Sequence, residues 1–373
     1  MRSTLAFSKK CLIGGLLVGI IIGYAVGIVI KEREVDELQQ QVSRLSAQIE
    51  QLGGAVQPLR VLAERHGIYI GAAVGADQLR IKEYAETLSR EFNILTTENA
   101  LKFERVHPER NVYSFAEADA IISFAEANGM KVRGHTLVWH NQLPEWITRG
   151  NYSREEWISI LHDHITTVVS RYRGRVYAWD VINEAVDDDG SLRETIWLRN
   201  IGPEYIELAF RWAHEADPEA LLFYNDYGAE GMGVKSDAVY NLVKTLLEKG
   251  VPIHGVGLQM HVSTEYYPAP QEVAANIKRL GDLGLEIHIT EIDVRIRLPA
   301  DSKSLIRQAE IYRDMLEVCL SSEKCTAFVM WGFTDRYSWI PGFFSGYGSA
   351  LIFDEHYNPK PAYYYILRIL MEP

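Results

Sequence analysis

A chain of 373 residues, 47% hydrophobic and 24% charged, has ordinary globular composition, long enough for one large barrel or two smaller domains and too apolar for a disordered protein. Its 38 basic residues against 50 acidic ones leave a net charge of −12, which repels polyanions and argues against a nucleic-acid partner. A neutral polymer suits that balance better.

Arg2, Lys9 and Lys10 precede an uncharged run of about twenty residues, Cys11 to Ile30, enough helix to cross roughly 30 Å of hydrocarbon. The run is apolar on every face, unlike a buried soluble helix, and predicts a cytoplasmic tip with a transmembrane signal-anchor over 1–30. Basic residues before it, with Lys31, Glu32, Arg33, Glu34, Asp36 and Glu37 after it, place the N-terminus inside and the bulk of the chain outside the cytoplasm. The alternative is secretion after signal cleavage, which needs an apolar core of about 7–15 residues and a small-x-small site, for which Ala25-Val-Gly27 is a weak match.

Val35, Leu38, Val42, Leu45, Ile49 and Leu52 recur at alternating steps of three and four, the a/d spacing of a coiled coil. A short stalk or linker over 31–60 is therefore expected, able to support a homodimer, although an amphipathic helix lying on its own domain has the same spacing. Gly53-Gly54 ends it.

From 61 to 373 the chain alternates short β-rich runs with amphipathic helical stretches, the rhythm of a parallel sheet. Eight runs are read, at 67–75, 94–100, 131–139, 176–184, 220–227, 253–261, 286–294 and 325–333. Between them, 154–172 reads as a helix with Trp157, Ile158, Leu161, Ile165 and Val168 on one face and Ser153 with Glu156 as a capping box. Residues 237–248 form another, ended by Gly250, and 304–320 the last crossover. Eight such units suit a (β/α)8 TIM barrel.

Active groups of such barrels project from the C-terminal strand ends. Glu98-Asn99, His135 with Trp139, Asn183-Glu184, Asn225-Asp226-Tyr227, Gln259 with His261, Glu291 with Asp293, and Trp331 all fall at those ends. Core-facing strand positions ought to be apolar, so a functional cleft is the simpler account. Glu184 and Glu291 each close an apolar run, and a pair of carboxyl groups is what acetal cleavage needs: one to protonate the departing oxygen, one ionised to attack or shield the sugar carbon. A strand-end glutamate alone is more often an ion-pair partner; two, with the polar company above, suggest a glycosidase.

Gly134-His-Thr-Leu-Val-Trp-His140, Trp179-Asp-Val-Ile-Asn-Glu-Ala185, Gly257-Leu-Gln-Met-His261, Ile289-Thr-Glu-Ile-Asp293 and Asp335-Arg-Tyr-Ser-Trp339 together closely resemble glycoside hydrolase family 10, the retaining endo-β-1,4-xylanases. The likeness runs from about residue 65 to 370 and takes in Thr97 to Lys102 and Asn358 to Tyr363; Leu101, Phe103 and Ile182 are small departures. It implies hydrolysis of internal β-1,4-xylosidic bonds of xylan and xylo-oligosaccharides, without a cofactor or metal. Glu184 corresponds to the acid/base and Glu291 to the nucleophile, supported by His261, Asp293 and Asn183. Glu98, Asn99, Lys102, His135, Gln259, Trp139, Tyr227, Trp331 and Trp339 correspond to sugar contacts, and Lys102 with Glu98 argues against cellulose.

Of three cysteines, Cys11 lies in the apolar run and Cys319 and Cys325 stand six apart; an exported pair oxidises whereas a cytosolic pair stays reduced. The resemblance favours a disulfide there. His162-Asp-His164 looks like a barrel metal motif but falls in a helix, where side chains two apart diverge. His140, Trp146 and Trp157 read as structural. The rival reading at the level of function class is a tethered sugar-binding protein on an enzyme fold; within enzymes it is a β-1,4-glucanase or aryl-β-glycosidase.

Overall fold

The computed structural model describes residues 57–372. The 11–30 run, the 35–52 heptads and Cys11 lie outside the described residues; among those described, no helix is long and apolar enough to cross a membrane.

Ten strands are present among the described residues: β1 (Tyr69–Val74), β2 (Ile94–Thr97), β3 (Lys131–Val138), β4 (Ala178–Asn183), β5 (Leu221–Asp226), β6 (Gly255–Leu258), β7 (His261–Ser263), β8 (Glu286–Arg297), β9 (Cys325–Met330) and β10 (Tyr347–Gly348). Parallel pairing runs β1 to β6, then β8 and β9, and β9 returns to β1 with Tyr69 opposite Ala327. The result is an eight-stranded closed (β/α)8 barrel. β7 extends the mouth beside β8, and β10 runs antiparallel to the far end of β8.

Each expected run contains a strand, with one change of form. The run 253–261 is split into β6 and β7, because Met260 turns into the left-handed region at φ 65° and breaks the ladder. The barrel strands are buried along almost their whole length, yet β3 and β8 carry Arg133, His135, His288 and Thr290 inside it, so polar side chains there must find partners within the barrel. Gly134 on β3 makes room for the Trp179 ring of β4: a Cβ there would stand 2.4 Å from it.

The crossover helices carry their own start and stop signals. Arg154–Arg171 begins with the Ser153/Glu156 capping box and buries Trp157, Leu161, Ile165 and Val168. Val234–Glu248 starts three residues before its expected position, behind Gly233, and Gly250 follows it at φ 64°. Ser302–Leu320 is capped by Asp301 and leads to a Cys319–Cys325 disulfide, Cα–Cα 5.1 Å, at the entry to β9. Leu59–Arg65 already packs on the barrel across the boundary expected at residue 60, with Leu59 buried and its N–H donating to Glu91 Oε2 at 3.1 Å.

Candidate active site

Of the strand-end groups, all but the fully buried Asn225, Asp226 and Asp293 line one cleft of about 1280 Å³ at the C-terminal mouth of the barrel. Glu184 and Glu291 both line it, with Glu98, Asn99, Lys102, His135, Trp139, Asn183, Tyr227, Gln259, His261, Trp331 and Trp339. Asp293 is fully buried behind His261.

Glu184 follows the last residue of β4 with φ 58°, a left-handed turn that side-chain-bearing residues seldom adopt and that functional sites retain. Its amide donates to Asn225 O at 2.9 Å and its carbonyl accepts from Arg193 Nε at 3.0 Å, so both sides of the turn are held. The carboxylate accepts from two neutral donors, Trp139 Nε1 at 2.8 Å and Gln259 Nε2 at 3.1 Å.

Glu291 has a different environment. It is 4% exposed, accepts from Asn225 Nδ2 at 2.7 Å, and has His261 Nε2 at 3.2 Å and His135 Nδ1 at 3.9 Å. Burial alone would push its carboxyl up, but the hydrogen bond from His261 and the charges of His135 and His261 hold it below the usual carboxylate range. His261 has Nδ1 against Asp293 Oδ2 at 2.9 Å, and the same oxygen accepts from Trp339 Nε1 at 2.8 Å. Burial disfavours a charged imidazole, yet Asp293 and Glu291 raise His261 to about 10. With both ring nitrogens facing carboxylates, it donates from each.

Several residues to which sequence reasoning assigned no catalytic or sugar-contact role hold the site together. Asn225 bridges the two glutamates' supports: its Nδ2 donates to Asn183 Oδ1 at 2.8 Å as well as to Glu291, and its Oδ1 accepts from Thr290 Oγ1 at 2.7 Å. Gly257 permits this, since a Cβ there would stand 2.1 Å from Asn225 Oδ1. Beneath His135, the buried Arg133 and Asp180 are ion-paired, and Asp180 Oδ2 accepts from His135 Nδ1 at 3.0 Å. Burial works against the Asp180 charge, but Arg133 and His135 keep its carboxyl low. Arg133 Nη1 donates to His288 Nδ1 at 2.6 Å, and burial pushes that histidine down to about 4, so it is neutral.

On one flank, Glu98, Asn99 and Lys102 are linked: Lys102 Nζ donates to Asn99 Oδ1 at 2.9 Å and lies 5.0 and 5.6 Å from the Trp139 and Trp331 rings. Burial pushes Glu98 up and Lys102 down, each against the attraction of the other. On the other flank, Tyr227 is clamped, with Arg193 Nη2 donating to its hydroxyl at 3.0 Å and Lys235 Nζ 3.4 Å from its ring centre. Lys235 also pairs with Asp226 at 3.1 Å and Asp188 at 3.2 Å. Away from the cleft, His164 is buried and stacked on Phe103 at 3.8 Å, whereas His162 faces outward beside Asp163 and Trp212.

Known proteins fall in line with this geometry. The chain is 52% identical over 329 residues to endo-1,4-β-xylanase B of Thermotoga neapolitana, 87% of this chain and 94% of the relative. It is 44% identical over 315 residues to a β-1,4-xylanase of Dictyoglomus thermophilum, 80% of this chain and 87% of the relative. Xylanase 10B from Thermotoga petrophila RKU-1, solved in complex with xylobiose, superposes with a TM-score of 0.83 at 51% identity, over 85% of this chain and 98% of that one. The sequence profile of glycosyl hydrolase family 10 matches residues 58–369, the whole barrel with its cleft, and the chain belongs to that family.

Proposed function

We propose that the chain is a retaining endo-1,4-β-xylanase acting by double displacement. Glu291, ionised, attacks the anomeric carbon while Glu184 gives its proton to the departing glycosidic oxygen, leaving a covalent glycosyl-enzyme. Water then attacks that carbon, Glu184 takes the water proton, and Glu291 is released as carboxylate. The observation that carries this reading is the unequal setting of two glutamates on one cleft: Glu291 beside a positively charged His261, Glu184 bonded only by neutral donors. A nucleophile needs the first and a proton donor tolerates the second.

Asn183 is assigned to the sugar 2-hydroxyl, a contact that strengthens as the oxocarbenium-like transition state forms. His135 and Gln259 touch the same sugar, and Glu98, Asn99 and Lys102 hold the next unit and crowd out a hydroxymethyl arm, which favours xylose over glucose. Trp139, Trp331, Trp339 and, across the scissile bond, Tyr227 take pyranose faces as apolar surface. Support for the substrate comes from the xylanase relatives and from xylobiose in the Thermotoga petrophila structure.

Linear xylan, xylo-oligosaccharides and carboxymethyl cellulose, digested with residues 55–373, test the reading, with the anomer followed by NMR. Xylan should be cut internally with the β-anomer appearing first; initial α-product excludes retention. In Glu184→Ala, activated aryl xylobiosides should keep far more turnover than xylan, because a good leaving group needs little protonation. Equal losses on both would remove the acid role.

We propose further that residues 1–30 anchor the chain with the N-terminus inside, that a stalk able to pair two copies runs from residue 31 to the barrel's first helix at Leu59, and that the catalytic unit this helix opens lies outside the cytoplasm, secretion after cleavage being the alternative. The uncharged 11–30 run supports the anchor, and the Cys319–Cys325 disulfide suits an oxidising compartment. Full-length protein should leave membranes only with detergent; release by buffer alone would favour cleavage.

A further inference from the structure

Four Lys or Arg side chains line the cleft, and three are accounted for. Arg193 lies 3.3 Å from Asp187, Lys235 pairs with Asp226 and Asp188, and Lys102 sits in the field of Glu291, Glu98 and Glu184. Arg295 differs. It stands on β8 two residues beyond Asp293, on the same face, and four beyond Glu291, which at about 3.3 Å per residue sets it ~13 Å toward the rim.

Its guanidinium is only partly engaged, with the Tyr347 ring centre 5.8 Å away. Nη1 donates to the carbonyls of His261 at 3.4 Å and Val262 at 3.2 Å, and the group lies 4.1 Å from the Phe344 ring centre. Among the described residues Nε and Nη2 have no acceptor, and no carboxylate lies within 4.0 Å. Glu265, the carboxylate whose charge it feels, is committed to Arg297 at 3.0 Å and to the Tyr347 hydroxyl at 2.7 Å. Arginine cannot shed its charge, its fork matches a carboxylate with two parallel bonds, and a side chain already held by an aromatic face and two carbonyls loses little freedom on binding. In a protein of net charge −12, such an unpaired edge is what would admit an anionic group to the cleft.

We propose that Arg295 is a carboxylate-recognition site that takes the uronosyl branch of an acidic xylan. The proposal rests on the xylanase reading and adds to it a preference among xylans: branches bearing a free carboxylate are drawn to the β8 rim of the cleft, and neutral chains pass it without that contact.

The test compares kcat/KM of the native enzyme on a xylo-oligosaccharide with one uronosyl branch, on its uronate methyl ester, and on the unbranched chain. The free acid should be cleaved about tenfold better than the ester, and salt raised from about 0.05 to 0.5 M should erase most of the difference. In Arg295→Gln the acid-to-ester ratio should fall towards one. Equal rates on acid and ester in the native enzyme, or an unchanged ratio in the variant, overturn the proposal. The native acid-to-ester ratio decides alone should the variant not fold. Failure to cleave even the unbranched chain refutes the xylanase reading instead, and this site with it.

Discussion

Asp293→Asn keeps the size and shape of a fully buried side chain while deleting its charge, and so isolates what that charge does for Glu291. Asp293 Oδ2 accepts from both His261 and Trp339. The rise of His261 from 6.5 to about 10 corresponds, at about 1.4 kcal/mol per tenfold, to roughly 5 kcal/mol favouring the imidazolium. Burial of the imidazolium is already counted in that figure, and Asp293, the first of the causes that raise it, shares the gain with Glu291. Without Asp293 the ring keeps only Glu291 to offset burial, so its charge weakens and Glu291 loses up to the worth of a charged donor, about 1.5–3 kcal/mol. Turnover of an aryl xylobioside at neutral pH should drop about 10- to 150-fold. The sign follows from Glu291, whose carboxyl is held low by His261 and His135 against burial: losing the cation raises it, so the acidic limb of the kcat/KM profile moves to higher pH. Stability gives an independent check. A raised histidine contributes fully below about 6.5 and loses its contribution as pH rises through about 10, so the Tm gap between native and variant should be wide at about pH 6 and close towards about pH 10. An unmoved acidic limb with a rate within twofold of native would falsify the charge argument.

Asn225→Asp sets a carboxylate where Glu291 and Asn183 now find an amide donor, so it should raise the Glu291 pKa and reduce kcat by more than a hundredfold, with partial recovery at higher pH if the nucleophile is the group affected. Kinetics on an activated substrate across pH will show it, and a pH-independent loss counts against that cause. Lys235→Met should raise KM for xylotetraose several-fold and leave aryl xylobiosides, whose leaving group is not a sugar, much less affected, because Lys235 steadies the Tyr227 ring; equal effects on both would mean a general loss of structure. Replacing Cys319 and Cys325 by serine removes a loop of six-residue separation, worth about 2 kcal/mol, and should lower Tm by a few degrees with kcat unchanged.

Much of the site was legible because a barrel's pattern is violated at its functional end. Strands buried on both faces are largely apolar, less so in β3 and β8, so a gathering of polar residues at C-terminal strand ends stands out, and Glu98, His135, Asn183, Glu184, Gln259, His261 and Glu291 were visible on that ground. Glu291, Asp293 and His261 also belong to runs whose neighbouring strands carry them to one place, His261 opposite Asp293 in the β7/β8 ladder. What stayed hidden depends on register between strands distant in sequence. Asn225 matters because it pairs opposite Asn183 on β4 and beside Gly257 on β6, and nothing in its own segment distinguishes it from Asp226 next door. Arg133 and Asp180 stand in strand interiors, where a single charge breaks the apolar pattern without naming its partner; only the β3/β4 ladder, with Arg133 opposite Ala178 and His135 opposite Asp180, brings the ion pair beneath His135. The break at Met260 had no sequence mark, since a glycine or proline would announce such a turn and methionine does not. The same logic applies to Arg295. In sequence it is one more charge after the Glu291-Ile-Asp293 motif, and only the closed barrel reveals that it lines the cleft with Nη1 alone bonded to its neighbours. Residues assigned to catalysis thus show themselves by breaking a local rule, whereas those assigned to holding or selecting are recognised by what they pair with, and a cation whose pairing is incomplete beside a cleft is a candidate for the second kind.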